Sequence, residues 1–113
     1  MFKDMTDEEV CEIRSRYHYL MGARGDPGEP LDPLAYVDST GDRLLHIAAA
    51  LGDVRTVDLL LKAGQDVNAR GDMGCSALHY ARMYTKEDVA DLLLLNGADA
   101  SLIDDFGRTP DQH

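Results

Sequence analysis

The chain has 113 residues, 44% of them apolar and only 6% aromatic, enough for one compact core of Leu, Ala, Val and Met and too few for two ordinary globular domains. Its formal net charge of −10, with acidic residues outnumbering basic ones in every segment, repels phosphate backbones and anionic lipid. Nucleic acid and membrane surfaces are therefore excluded as partners, and a protein with a basic surface is favoured.

At the N-terminus there is no apolar stretch of the kind a secretion signal carries, and no run in the chain approaches the roughly 18–20 apolar residues of a membrane span, so a cytoplasmic location is expected. Thr6-Asp7-Glu8-Glu9 has the form of a capping box, and Val10, Ile13, Tyr17, Leu20 and Met21 follow at helical spacing. This predicts one amphipathic helix over residues 6–22. The Gly- and Pro-rich stretch 22–33 predicts a loop, and residues 34–37 lead out of it. Cys11 and Cys75 have neither a CxxC nor a Cys/His ligand spacing, which makes them buried or half-buried free thiols and not zinc ligands or a disulfide framework.

From residue 38 the sequence repeats itself at an offset of 33: Gly41 falls on Gly74 and Gly107, Leu45 on Leu78, His46 on His79, Ala48 on Ala81, Leu60-Leu61 on Leu93-Leu94, Gly64 on Gly97, and Asp66 on Asp99. The units are 38–70, 71–103 and a partial 104–113. Within residues 45–51 and 55–62 apolar side chains recur at helical spacing, interrupted by Gly52-Asp53 and Gly64, which describes two short helices joined by a tight turn. Helices below about 12–15 residues are marginal alone in water, so each pair must gain its stability by packing on the next copy. In the second copy Thr85 is the expected N-cap, with Asp88 three positions on and an apolar stripe over residues 89–95. Gly64 and Gly97 are placed to stop helices in the left-handed conformation. Ala48, Ala49 and Ala81 are small where neighbouring helices must approach closely.

The first copy, Gly41-Asp42-Arg43-Leu44-Leu45-His46-Ile47-Ala48-Ala49 with Gly52, Val57, Leu60-Leu61, Gly64 and Asp66, resembles the ankyrin repeat pattern. So does the second, Gly74-Cys75-Ser76-Ala77-Leu78-His79-Tyr80-Ala81 with Leu93-Leu94 and Asn96-Gly97-Ala98-Asp99, and a third opens at Asp104-Asp105-Phe106-Gly107-Arg108-Thr109-Pro110. The resemblance implies an all-α solenoid of helix-turn-helix units with short hairpin loops; residues 1–37 then form an N-terminal capping helix and loop beside a repeat domain of residues 38–113. Departures from the pattern lie at Arg43-Leu44 and Ser76-Ala77 in place of Thr-Pro, at Thr85 in place of Gly52, and at Gly71 where Asp38 and Asp104 stand. The second hairpin is accordingly expected to be looser or hydrogen-bonded differently. No complete third unit covers residues 89–95, so Leu92 and Leu95 are expected to expose an apolar patch open to self-association.

Candidate chemistry is thin. His46 and His79 lack a third ligand at metal spacing, and the resemblance makes them structural, bonded to the backbone of a neighbouring hairpin; Asn68 ties a turn. Ser39, Ser76 and Ser101 lie in no nucleophile elbow, no phosphate-binding glycine loop is present, and Arg24-Gly25-Asp26 and Arg70-Gly71-Asp72 are chance tripeptides in loops. No enzyme, cofactor or metal site is expected.

What the resemblance implies is a protein-binding module whose hairpin tips and first helices line a concave face. Mapped by register, that face holds Val37, Ser39, Thr40, Asp42, Ala50 and Leu51, then Arg70, Asp72, Met73, Cys75, Met83 and Tyr84, then Ile103, Asp105, Phe106 and Arg108. Met73, Met83, Tyr84 and Phe106 have no evident duty in folding and read as anchors among acidic residues. Two functions follow: an inhibitor or immunity-type protein for a basic, nuclease-like partner, or a structural or regulatory subunit docked through its C-terminal face in a larger assembly.

Overall fold

Two helix pairs set the architecture, and the same backbone bonds turn and end each of them. The computed structural model describes residues 6–17, 36–38 and 40–112. Among these the elements are α1 (Asp7–Arg16), the pair α2 (Leu44–Leu51) and α3 (Val54–Lys62), and the pair α4 (Ala77–Met83) and α5 (Glu87–Leu95), with short 3-10 turns at Asp72–Gly74 and Pro110–Gln112.

Each pair is entered through a hairpin and a third hairpin precedes the terminal 3-10 turn; the equivalent closing bonds run from Asp38 N to Asp42 O at 2.9 Å, from Gly71 N to Cys75 O at 2.8 Å and from Asp104 N to Arg108 O at 2.9 Å. Gly41, Gly74 and Gly107 sit at the same place in the three turns with φ of 98°, 72° and 76°, a region that penalises a Cβ. The helix ends repeat as well: Gln65 N bonds Leu60 O at 3.1 Å and Ala98 N bonds Leu93 O at 3.0 Å, each around a left-handed glycine, Gly64 or Gly97. Periodicity in the sequence is thus periodicity in the backbone bonds.

Packing follows from the apolar stripes. α2 lies against α3 and α4, α4 against α5 and the terminal 3-10 turn, and α3 against α5. Leu44, Leu45, Val57, Leu59, Leu60, Leu78, Val89 and Leu93 fill the core, each side chain contributing about 1.5–3 kcal/mol by leaving water. Ala48, Ala49, Ala77, Ala81 and Ala90 are wholly buried where helices meet. Leu92 is half-buried on the same core, a correction to the expectation that it is exposed, because its side of α5 turns inward; Leu95 is 86% exposed.

The capping box at Thr6 is present, with Thr6 N donating to Glu9 Oε1 at 2.9 Å and Glu9 N to Thr6 Oγ1 at 3.2 Å. α1 ends at Arg16 with Tyr17 as its C-cap, shorter than the expected 6–22. Leu20, Met21, the loop 22–33, Leu34 and Ser39 lie outside the described residues. Val10, Ile13 and Tyr17 are buried in the common core.

The expected cap at Thr85 is corrected. Lys86 is the N-cap of α5, without a side-chain bond, because Thr85 is itself left-handed with φ of 53° and turns its hydroxyl back to Tyr84 O at 2.7 Å. It does the work that Gly52, with φ of 76°, does after α2. A β-branched residue in that region carries about 1–2 kcal/mol of steric cost. Thr85→Gly is therefore expected to stabilise the fold by about 1 kcal/mol, a net gain after the greater freedom of glycine in the unfolded chain. A thermal melt checks it, and an unchanged or lowered melting temperature contradicts the strain.

Candidate protein-binding face

His46 and His79 stitch one unit to the next. His46 Nδ1 accepts from Arg43 N at 2.9 Å and its Nε2 lies 2.8 Å from Ala69 O. His79 Nδ1 faces Ser76 N and Ser76 Oγ at 3.1 and 2.8 Å, and its Nε2 lies 2.9 Å from Arg108 O. Arg43 gives α2 no side-chain cap; in both units the histidine ring accepts from the backbone N–H of the N-cap residue itself. Burial holds His46 below its ordinary pKa, against the Ala69 carbonyl and the Asp42 charge that push it up; the ring is neutral at pH 7 and one nitrogen donates to the carbonyl. Asn68 performs the same linkage further along: its Oδ1 accepts from Asp99 N at 2.8 Å.

Several side chains with nucleophilic atoms serve the fold, while Cys11, expected to be buried or half-buried, is exposed. Ser76 caps α4, and Ser101 Oγ donates to Asp99. Burial, with Asp104, Asp42 and Asp72 around it, pushes the Cys75 thiol above its ordinary pKa, which disfavours the reactive thiolate. Among the described residues no group of three His, Cys, Asp or Glu side chains is placed to hold a metal ion, and no helix is long and apolar enough to cross a membrane. A hollow of about 290 Å³ lies beside the turns that follow α2 and α4, lined by Gly52, Thr85, Lys86, Glu87, Asp88 and Val89.

The large apolar side chains singled out in the sequence fall into two groups. Met73 and Phe106, 56% and 62% exposed, occupy equivalent positions at successive hairpin tips, and Asp105 N donates to Met73 O at 2.9 Å, tying one tip to the next. Leu51 and Tyr84, 58% and 51% exposed, are equivalent residues at the C-terminal ends of α2 and α4, with exposed Met83 beside Tyr84. α2 and α4 pack side by side, so these ends are neighbours.

Charged members of the set divide differently. Asp105 is exposed and Asp72 half-buried. Arg108 stands 5.2 Å from the Phe106 ring centroid and 3.6 Å from the buried Asp104 carboxylate, which fixes both parts of the tip. Asp42 is half-buried, and its carboxylate accepts from Asp72 N at 2.8 Å and from the Tyr80 hydroxyl at 2.9 and 3.0 Å. Tyr80 was not among the residues singled out. The signal for it was a phenol at the position of Ile47, an apolar site in the first unit.

Residues 18–110 match a family described as ankyrin repeats, in three copies. The chain belongs to the ankyrin repeat family. That match begins at residue 18, ahead of the first hairpin. Among curated ankyrin relatives, an ankyrin and IPT/TIG repeat-containing protein of Schizosaccharomyces pombe is 39% identical over 80 residues, which is 71% of this chain and 7% of the relative. Protein phosphatase 1 regulatory subunit 12A of Mus musculus is 36% identical over 70 residues, 62% of this chain and 7% of the relative. Ankyrin repeat domain-containing protein 40 of Mus musculus is 39% identical over 69 residues, 60% of this chain and 19% of the relative. The chain thus spans at most about a fifth of the length of these relatives. Ankyrin repeats are a protein–protein interaction module, since stacked units bury their cores in one another and leave a continuous side for capture.

Proposed function

We propose that this ankyrin chain captures a protein with a basic surface through its hairpin tips and the ends of its first helices, with Leu51, Met73, Met83, Tyr84 and Phe106 as anchors. The observation that carries the reading is their exposure: five large apolar side chains stand in water, four of them in register-equivalent pairs and Met83 beside Tyr84, while the core is filled without them. Asp72 and Asp105 border them, and the net charge of −10 supplies the long-range attraction for a basic partner. Asp42 belongs to this reading only indirectly, because its carboxylate is held by its neighbours. An inhibitor of a basic, nuclease-like protein in the cytoplasm fits these properties. Residues 1–37 serve as the cover of the N-terminal end of the stack; Val10, Ile13 and Tyr17, buried against the repeats, support this.

The test uses Met73→Ala, Tyr84→Ala and Phe106→Ala together. All three side chains are exposed, so the variant is expected to melt within a few degrees of wild type. Its affinity for a partner captured by wild type is expected to fall about a hundredfold or more, since truncated anchors at an interface centre cost about 2 kcal/mol or more each. The association rate of the wild-type complex is expected to fall as salt is raised. A folded triple variant that keeps its partner at full affinity overturns the face, and a salt-independent rate overturns the charge argument.

A second reading, a subunit docked through its C-terminal face in a larger assembly, is favoured by Leu95, 86% exposed beside exposed Leu94. Sedimentation at high micromolar concentration separates the two: self-association abolished by Leu95→Glu supports this reading, and a monomer unaffected by it counts against a self-docking C-terminal face.

A further inference from the structure

The three hairpins share their backbone bonds but not their side-chain support. In the first, Asp38 Oδ1 accepts from Thr40 N at 2.9 Å, Thr40 Oγ1 at 2.7 Å and Asp42 N at 2.9 Å. In the third, Asp104 Oδ1 accepts from Phe106 N at 2.8 Å and Arg108 N at 3.0 Å. Gly71 stands at that position in the second and has no side chain to offer. Its hairpin is a different turn: Asp72–Gly74 winds as a 3-10 turn closed by Cys75 N on Asp72 O at 3.1 Å. Met73 at the tip is left-handed with φ of 56°, a conformation that the equivalent Phe106 does not adopt.

The space a side chain on residue 71 would fill is already occupied. A Cβ built there collides with Asp42 Oδ1 and comes within 3.1 Å of His46 Cε1 and Nδ1. Asp42 Oδ1 reaches in from the preceding hairpin and accepts from Asp72 N at 2.8 Å. Both of its oxygens also face the Tyr80 hydroxyl, at 2.9 and 3.0 Å. The Tyr80 ring in turn meets His46 edge to face at 5.8 Å between centroids. Burial, and then the hydrogen bond to Asp42, hold the phenol well above its ordinary pKa, so it remains a donor to that carboxylate.

We propose that Asp42 is a positioning residue for the second hairpin: its carboxylate, lent across the boundary between units, replaces the one that residue 71 lacks and fixes the turn in which Met73 is presented. The first and third hairpins each carry their own carboxylate at this position, the third also donating Asp105 N to Met73 O; the second takes its carboxylate from its neighbour and changes shape if the seam between the units opens. The turn itself stands apart from the proposed binding role of Met73, on which only the consequence for a partner rests.

Amide exchange read by NMR, with no partner present, tests it in Asp42→Ala, Asp42→Asn, Gly71→Asp, Tyr80→Phe and the double variant Asp42→Ala/Gly71→Asp. In Asp42→Ala the Asp72 amide is expected to exchange about tenfold faster or more, while the hydrogen-bonded amides of Gly41 and Gly107 keep their rates. Asp42→Asn, which retains an acceptor oxygen, is expected to hold Asp72 within about threefold of wild type. Gly71→Asp alone is expected to melt below wild type, through steric conflict and like charge. The double variant is expected to melt above both single variants, with protection moved from the Asp72 amide to those of Met73 and Cys75, the pattern that Asp104 makes in the third hairpin. That rescue is one a merely structural role for Asp42 would not produce. A wild-type Asp72 rate in Asp42→Ala, or a double variant melting no higher than the more stable of the two singles, overturns the proposal. Should Asp42→Ala not fold, Tyr80→Phe carries the test: an Asp72 amide slower than or equal to wild type overturns the proposal, and a faster one supports it. A partner lost by Met73→Ala and retained in full by Asp42→Ala leaves the turn intact and refutes its link to binding.

Discussion

Cutting Leu60 back to alanine is expected to lower the unfolding free energy by about 2–5 kcal/mol, and Leu93→Ala by a similar amount. Both side chains are wholly buried, one on each second helix, at positions one repeat apart. Each deletion removes the transfer free energy of the lost methyl and methylene groups and leaves a void that close-packed helices refill only in part. With few aromatics in the chain, no large ring stands by to swing into the gap. A domain of this size has about 5–15 kcal/mol in all, so either change consumes a large share of it. Leu95→Ala, at an 86% exposed position on the same helix as Leu93, is expected to stay within about 0.5 kcal/mol of wild type. Urea unfolding midpoints at fixed slope measure all three. Equal effects at Leu93 and Leu95 would mean that α5 does not face the core as described.

Asp53 carries the second large effect, because one carboxylate does three jobs. It caps α3, accepting from Thr56 N at 3.2 Å and Thr56 Oγ1 at 2.6 Å. It accepts from the Tyr17 hydroxyl at 2.9 Å and pairs with Arg16, and so holds the end of α1 against the first helix pair. Asp53→Ala is expected to cost about 2–4 kcal/mol at pH 7, from the cap and from bonds to a charged acceptor left unmade. Burial pushes the Asp53 carboxyl up, but the Thr56 and Tyr17 hydrogen bonds and the Arg16 charge outweigh it and hold the folded-state pKa below the ordinary 3.8. The stabilisation that Asp53 provides in its ionised form is therefore fully present above that ordinary value and is lost as pH falls through the lower, folded one. Unfolding of wild type and Asp53→Asn compared at pH 7 and at progressively lower pH is expected to show a gap that closes only below about pH 4. A gap unchanged down to pH 2 would mean that the ionised carboxylate does not hold this junction.

Much of the fold was legible because its local rules recur. The offset that lays Gly41 on Gly74 also lays one hairpin bond on another, and the glycines that stop helices do so through the same pair of carbonyls. His46 and His79 were placed as structural residues, and each ring spans its own capping turn and a backbone carbonyl of the following hairpin region. Thr85 was misjudged because a hydroxyl followed three residues later by an acid satisfies a capping motif locally. The register, which sets residue 85 on left-handed Gly52, pointed the other way. Asp42 read as a contact residue because nothing in its own unit calls for it; its partners, Asp72 and Tyr80, are 30 and 38 residues away. The clue lay in Gly71, a departure whose remedy sits in a different unit. The anchors Met73, Tyr84 and Phe106 were legible only as large apolar residues without a folding duty, since sequence alone says nothing of what meets them.

The contacts that hold this molecule join each helix pair to the pair beside it: α2 meets α4, α3 meets α5, and α4 also meets the terminal 3-10 turn. Among the described residues no helix must wait for a segment from the far end of the chain. Order spreads like a zip from whichever pair forms first and melts inward from the outer edges.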